Sequence, residues 1–124
     1  PKRTVVAFAG DGDFLMTGQE LATAVQYDLP VIVIVADNGM YGTIRMHQER
    51  NYPERVIATS LVNPDFAAYA RSFGAFGEVV DKTADFRPAF RRALDAGRPA
   101  LIELRLDPEA ITPARTLSDL RSKV

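Results

Sequence analysis

Two short segments of the chain hold the groups that could do chemistry. Gly10-Asp11-Gly12-Asp13 sets a carboxylate between two glycines, and Asp37-Asn38-Gly39 sets a carboxylate and a carboxamide before a third. Asp11 and Asn38 offer hard oxygen atoms, and the flanking glycines let a bulky group come close to the backbone. One carboxylate, one carboxamide and backbone groups are poor ligands for zinc. They suit Mg2+, which takes oxygen ligands and completes its octahedron with phosphates and water. Gly12 and Asp13 lead into a helix, whose first N–H groups favour anions. The pattern points to a divalent cation bridging the protein to a phosphorylated ligand. Each segment also has a plainer reading: Gly-Asp-Gly is a common tight turn, Asn-Gly a common hairpin dipeptide, Asp13 a helix cap and Asp37 a solvated strand end. No alternating strand follows Asn38-Gly39, which weighs against the hairpin.

The elements that must hold these groups are legible in turn. The β-branched and aromatic run Thr4–Ala9 reads as a strand. Thr17-Gly18-Gln19-Glu20 has the form of a capping box opening a helix through Leu21, Ala24, Val25 and Leu29, which Pro30 closes. Val31–Ala36 is apolar on both faces, as expected of a central strand in a parallel sheet covered by helices. A weakly patterned helix is expected over about Tyr41–Arg50, then a loop to Asn63. Asn63-Pro64-Asp65 reads as a helix start, with Asn63 as cap and proline in the first turn. Phe66, Tyr69, Ala70 and Phe73 give that helix its inner face, and Gly74 stops it. A strand over Phe76–Val80, a helix after Thr83 carrying Phe86, Phe90, Ala93 and Leu94, and a last strand over Ala100–Leu106 follow. The tail is expected to carry one short helix over Leu117–Arg121. This β-α-β-α-α-β-α-β order predicts an α/β three-layer sandwich with a mainly parallel sheet. In such sheets ligands collect beyond the carboxyl ends of the strands, which is where Asp11 and Asn38 fall.

Composition narrows the classes. The chain has 124 residues, 15 Lys plus Arg against 16 Asp plus Glu, a net charge of −1 and 47 % apolar residues. That length supports one domain with a real core. The charge balance argues against nucleic acid or an anionic membrane as partner. There is no Cys, which excludes disulfides and thiolate chemistry, and His47 is the only histidine. No apolar run is long enough to span a bilayer, the longest being Val31–Ala36. The chain opens directly on strand-forming residues without Met, so a piece of a longer protein is expected.

Gly10-Asp11-Gly12, 25 intervening residues and then Asn38 resembles the thiamine-diphosphate-binding motif. The stretch Phe14–Pro30, the segment Asn38–Arg45, Pro64-Asp65-Phe66-Ala67 with Phe73-Gly74, and Pro99–Leu104 look like acetolactate synthases and their relatives. The resemblance covers nearly the whole chain and speaks more to the cofactor than to the reaction. It implies a partial thiamine-diphosphate-binding fold over residues 1–106, lacking its first strand and helix, with residues 107–124 as a C-terminal tail. It implies thiamine diphosphate and Mg2+ as cofactors, with Asp11, Asn38 and the Met40 carbonyl as metal ligands. Gly10, Gly12, Asp13, Tyr41, Gly42, Thr43 and Ile44 would face the cofactor. Most relatives carry Asn where this chain has Asp37, at a position that is not itself a metal ligand. Where acetolactate synthases commonly carry a tryptophan that helps choose the second keto acid, this chain has His47.

By the same resemblance, the activating glutamate belongs to a pyrimidine-binding domain, usually on a second subunit. No catalytic residue is therefore expected in this chain, and the piece alone is expected to be inactive. The implied parent is a cytoplasmic homodimer or homotetramer acting on a 2-keto acid such as pyruvate, as a decarboxylase or carboligase. The alternatives are another family member, such as a benzoylformate decarboxylase-like enzyme or other C–C lyase, and a non-enzymatic receiver-like signalling module. The receiver reading needs a Lys after the last strand, where this chain has Asp107-Pro108.

Overall fold

The structure, a computed structural model, describes residues 3–122. Four strands, β1 (Val5–Gly10), β2 (Val31–Asp37), β3 (Phe76–Val80) and β4 (Ala100–Arg105), form one parallel sheet in the order β1-β2-β4-β3. The helices are α1 (Asp11–Thr17), α2 (Leu21–Gln26), α3 (Gly42–Asn51), α4 (Phe66–Ser72), α5 (Thr83–Asp95) and α6 (Leu117–Arg121).

Alternation along the inner strands sorts the core into two layers. Val35 and Leu101 face one side, where they pack with Phe14 of α1, Leu21 of α2 and Phe66 and Ala70 of α4. Ile32, Ile34, Ala100 and Ile102 face the other, against Ala89 and Ala93 of α5, with Phe86 and Phe90 beside them. The chain moves outward from β1 to β3 and then turns back to insert β4. Reversing the direction of a right-handed crossover moves its helix to the opposite face, which is where α5 lies. The expected three-layer parallel architecture and the central place of β2 are therefore both present. The aromatic residues expected in the core are there: Phe66 is fully buried, and Tyr69, Phe73, Phe86 and Phe90 pack around the two clusters.

Two helix starts differ from expectation. The first helix begins at Asp11, and Thr17 is its last residue; Thr17 caps nothing. Asp13 supplies the cap instead, its Oδ2 accepting from the Gly10 N–H at 3.2 Å, while Glu20 accepts from the Thr23 hydroxyl at 2.8 Å. Asp65, and not Asn63, caps α4, accepting from the Ala68 N–H at 2.7 Å. Asp65 stands three residues before that N–H, the separation a side-chain cap spans, and Asn63 is left for another task. The helix expected to run to Pro30 ends at Gln26, with Asp28 in the left-handed region at φ +50°.

Beyond β4 the chain folds back over the carboxyl end of the sheet. Leu117 and Leu120 of α6 bury against Met40, with Met46 and Ile111 alongside. The Arg121 guanidinium donates to Glu49 Oε1 at 2.8 Å, joining α6 to α3. At the other extreme, β1 forms a sheet edge. Among the described residues no strand pairs with its outer side, and Val5, Val6 and Phe8 are 55 %, 44 % and 71 % exposed.

Candidate functional site

The register of β1 on β2 sets Gly10 opposite Ala36. The next residue of each strand end, Asp11 and Asp37, therefore arrives at the same level. Gly39 makes the turn after β2 at φ +69°, a conformation that favours glycine. That turn aims the Gly39 N–H at both carboxylates, Asp11 Oδ2 at 2.9 Å and Asp37 Oδ1 at 3.0 Å.

Asp11 is 3 % exposed, and its oxygens are almost fully engaged. Oδ1 accepts from the Gly12 N–H at 2.9 Å; Oδ2 accepts from Gly39 and from the Asn63 side-chain amide, the latter at 2.7 Å. The same Asn63 nitrogen donates to Asp37 Oδ1 at 2.7 Å. Burial pushes the Asp37 carboxyl above its ordinary range, and the neighbouring Asp11 carboxylate adds to the effect against the hydrogen bonds from Asn63 and Gly39. Asn38 turns its carbonyl oxygen back on the chain, accepting from the Met40 N–H at 3.1 Å.

All ten residues singled out from the sequence, Gly10, Asp11, Gly12, Asp13, Asn38, Met40, Tyr41, Gly42, Thr43 and Ile44, line one cavity of about 530 Å³ at this end of the sheet. Their convergence has a local cause. Thr59 and Leu61 bond across to the start of α3, the Tyr41 N–H donating to the Thr59 carbonyl at 2.9 Å and the Leu61 N–H to the Gly39 carbonyl at 2.8 Å. This pins the segment between β2 and α3. α3 opens at Tyr41 with no side-chain cap, so its first N–H groups stand beside the cavity without one. Two glycines leave no room for a Cβ unless a neighbouring side chain shifts: a Cβ on Gly12 would lie 2.5 Å from the Tyr41 ring, and one on Gly42 would lie 2.9 Å from Asn38 Nδ2 and 3.0 Å from Ile111 Cδ1.

Several residues of the site carried no signal in the sequence. Phe8, Ala36, Leu106, Ala110 and Ile111 complete the cavity wall. Asn63 lies in a stretch whose local pattern pointed to a helix cap. Arg45 and Arg50 do not meet in the cavity. Arg45 pairs with the buried Glu49 at 2.9 Å, and the Arg50 guanidinium lies 2.7 Å from Nδ1 of the exposed His47.

The arrangement can hold a hard cation and an anion together. Its donor atoms are oxygens from a carboxylate, a carboxamide and the backbone, and no group of three or more His, Cys, Asp or Glu side chains suited to a metal occurs among the described residues. Such a set does not satisfy a cation alone and leaves positions for a ligand's own oxygens. The uncapped start of α3 favours the negative charge those oxygens bring.

Comparison with known proteins agrees with this chemistry. Over 96 residues the chain is 40 % identical to a sulfoacetaldehyde acetyltransferase of Castellaniella defragrans, covering 77 % of the chain and 16 % of that protein. Over 116 residues it is 33 % identical to the acetolactate synthase large subunit IlvG of Mycobacterium tuberculosis, covering 94 % of the chain and 21 % of that protein. The solved thiamine diphosphate-dependent 4-hydroxybenzoylformate decarboxylase of Rhodococcus jostii RHA1 superposes with a TM-score of 0.80 at 34 % identity, over 86 % of the chain and 20 % of that structure. The chain thus spans about a fifth of the length of the relatives it matches. The family described as thiamine pyrophosphate enzyme, C-terminal TPP binding domain, matches residues 1–104 and takes in all four strands but for the last residue of β4. With that span, and with the glycine-flanked Asp11 and Asn38 at adjoining strand ends, the chain belongs to the C-terminal TPP-binding domains of the thiamine pyrophosphate enzymes.

Proposed function

We propose that this chain is the part of a 2-keto acid decarboxylase or carboligase that grips Mg2+ and the diphosphate of thiamine diphosphate. Asp11, Asn38 and the Met40 carbonyl would hold the cation. The backbone at Gly12, Asp13 and Gly42–Ile44 would receive the diphosphate, and Tyr41 would wall the cavity. The single observation that carries this reading is the convergence of the two strand-end motifs and the uncapped start of α3 on one cavity. Bound there, the cofactor would supply the nucleophilic carbon that adds to a 2-keto acid; the chain's own residues would anchor its charged end and hold the Asp11 side chain beside the cation.

The proposal extends to the parent protein. Its activity is most like that of acetolactate synthase, with pyruvate as substrate, and its activating glutamate lies on a pyrimidine-binding domain of a second subunit in a homodimer or homotetramer. This chain alone is inactive. The structural likeness to a 4-hydroxybenzoylformate decarboxylase supports a second reading, simple decarboxylation of an aromatic 2-keto acid. Membership in the TPP family leaves the receiver-like signalling reading without support. Among the described residues no helix is long and apolar enough to cross a membrane.

The test is calorimetric titration of thiamine diphosphate into the complete protein with and without Mg2+. Binding that requires Mg2+ and weakens on the order of 100-fold or more in Asp11→Ala is expected, past what loss of an outer partner of a ligand costs. Equal binding by wild type and Asp11→Ala would overturn the assignment. Turnover assays with pyruvate and with benzoylformate then separate the two readings.

A further inference from the structure

A carboxylate has about four lone-pair positions. On Asp11 three are taken: Gly12 fills one on Oδ1, and Gly39 and Asn63 fill both on Oδ2. One position on Oδ1 is left, on a buried side chain that lines the cavity. Asn63 is the only side chain among these donors. It comes from a loop 52 residues further along the chain, and it spends its one nitrogen on two carboxylates, Asp11 and Asp37. Its own Oδ1 is buried and has no partner among the described residues. The amide orientation is thus set by the two carboxylates alone: turned over, its oxygen would face both.

We propose that Asn63 is a positioning residue for the cation site, a neutral bridge that ties Asp11 to Asp37 and locks the Asp11 carboxylate with only Oδ1 open to Mg2+. The inference rests on the reading given above. It explains why an amide stands here. A carboxylate at 63 would crowd a third negative charge against two others in a half-buried site, and an apolar residue would leave Asp11 Oδ2 and Asp37 Oδ1 each short of a donor. It also accounts for Asp37, whose side chain never needs to touch the metal: it holds the far end of the bridge.

The experiment uses the complete protein, with thiamine diphosphate and Mg2+ as probes and calorimetry as readout. Wild type, Asn63→Ala and the near-isosteric Asn63→Asp are titrated with Mg2+ at saturating thiamine diphosphate, and with thiamine diphosphate at saturating Mg2+. Asn63→Ala is expected to raise half-saturating Mg2+ by about ten-fold, the lower end of what loss of a ligand's outer partner causes. Asn63→Asp is expected to raise it further. Excess Mg2+ restores wild-type cofactor affinity to Asn63→Ala, which a merely structural role would not allow. Variants that titrate like wild type, or a loss in Asn63→Ala that excess Mg2+ leaves in place, overturn this inference alone. A wild-type protein whose cofactor binding ignores Mg2+ overturns the reading beneath it, and this inference falls with it.

Discussion

Tyr41 touches the site in a way that makes Gly12 the most demanding small residue in it. The ring would lie 2.5 Å from a Cβ at position 12, yet Tyr41 is 40 % exposed and has room to swing outward. Gly12→Ala is therefore expected to leave the thermal midpoint within about 2 °C of wild type, as a surface-side adjustment does, while weakening Mg2+-dependent cofactor binding by about ten-fold as the ring leaves the cavity wall. Calorimetry beside a melting curve checks both halves. At this scale Asp11 and Asn38 were legible because their chemistry is local: a carboxylate between glycines and a carboxamide before one, at strand ends. Asn63 was not. Its role depends on a contact with a residue 52 positions away, and its neighbours Pro64 and Asp65 present a nearer and sufficient reason for a polar residue there.

Among the elements, β4 carries an acid where the pattern calls for an apolar residue. Glu103 is 1 % exposed and sits on the face of the sheet that α4 covers. Its Oε2 accepts from the Phe66 and Ala67 N–H groups at 2.9 and 3.2 Å, closing the first turn of α4, and its Oε1 accepts from Arg105 Nε at 3.1 Å. A negative charge at a helix start is favourable twice over, through the hydrogen bonds and through the helix dipole. Glu103→Ala leaves two buried donors without partners and is expected to cost about 2–4 kcal/mol; Glu103→Gln, which keeps an acceptor, is expected to cost less. Urea unfolding of the two variants gives the comparison. The strands were readable because their runs are short, apolar and bounded by Gly, Pro or Asn. The helix starts were less so: Thr17-Gly18-Gln19-Glu20 satisfies a capping rule, but the folded chain had already begun its helix at Asp11, with Asp13 as cap. A local pattern cannot tell which of two competing starts tertiary packing selects.

At the scale of the whole molecule, α3 and α6 are tied together at the cavity end of the sheet by one buried acid. Glu49 of α3 is fully buried and accepts from Arg45, from Arg121 of α6 and from the Glu54 N–H. The Arg121 hydrogen bond is the main reason its carboxyl is lowered from 4.5 to about 2; burial opposes it and Arg45 assists. Between those values the unfolded chain binds a proton that the folded chain refuses. The stability this group contributes is thus complete above about pH 4.5 and lost as pH falls toward about 2. Midpoints of urea unfolding across that window are expected to fall more steeply in wild type than in Glu49→Gln, which has no proton to gain there. None of this was visible beforehand, because α3 is nearly all polar and its one buried residue is charged. The two-layer packing, by contrast, followed from β2 being apolar on both faces and from the spacing of aromatics in α4 and α5.

The bare side of β1 has a practical cost. A row of unsatisfied N–H and C=O groups flanked by Val5, Val6 and Phe8 is a template that any passing extended backbone can extend, including that of an identical molecule. Concentrating this chain by itself therefore favours edge-to-edge association over a well-behaved monomer. A charge placed at Val6, which does not line the cavity, is the simplest way to keep it dispersed without touching the site at Asp11.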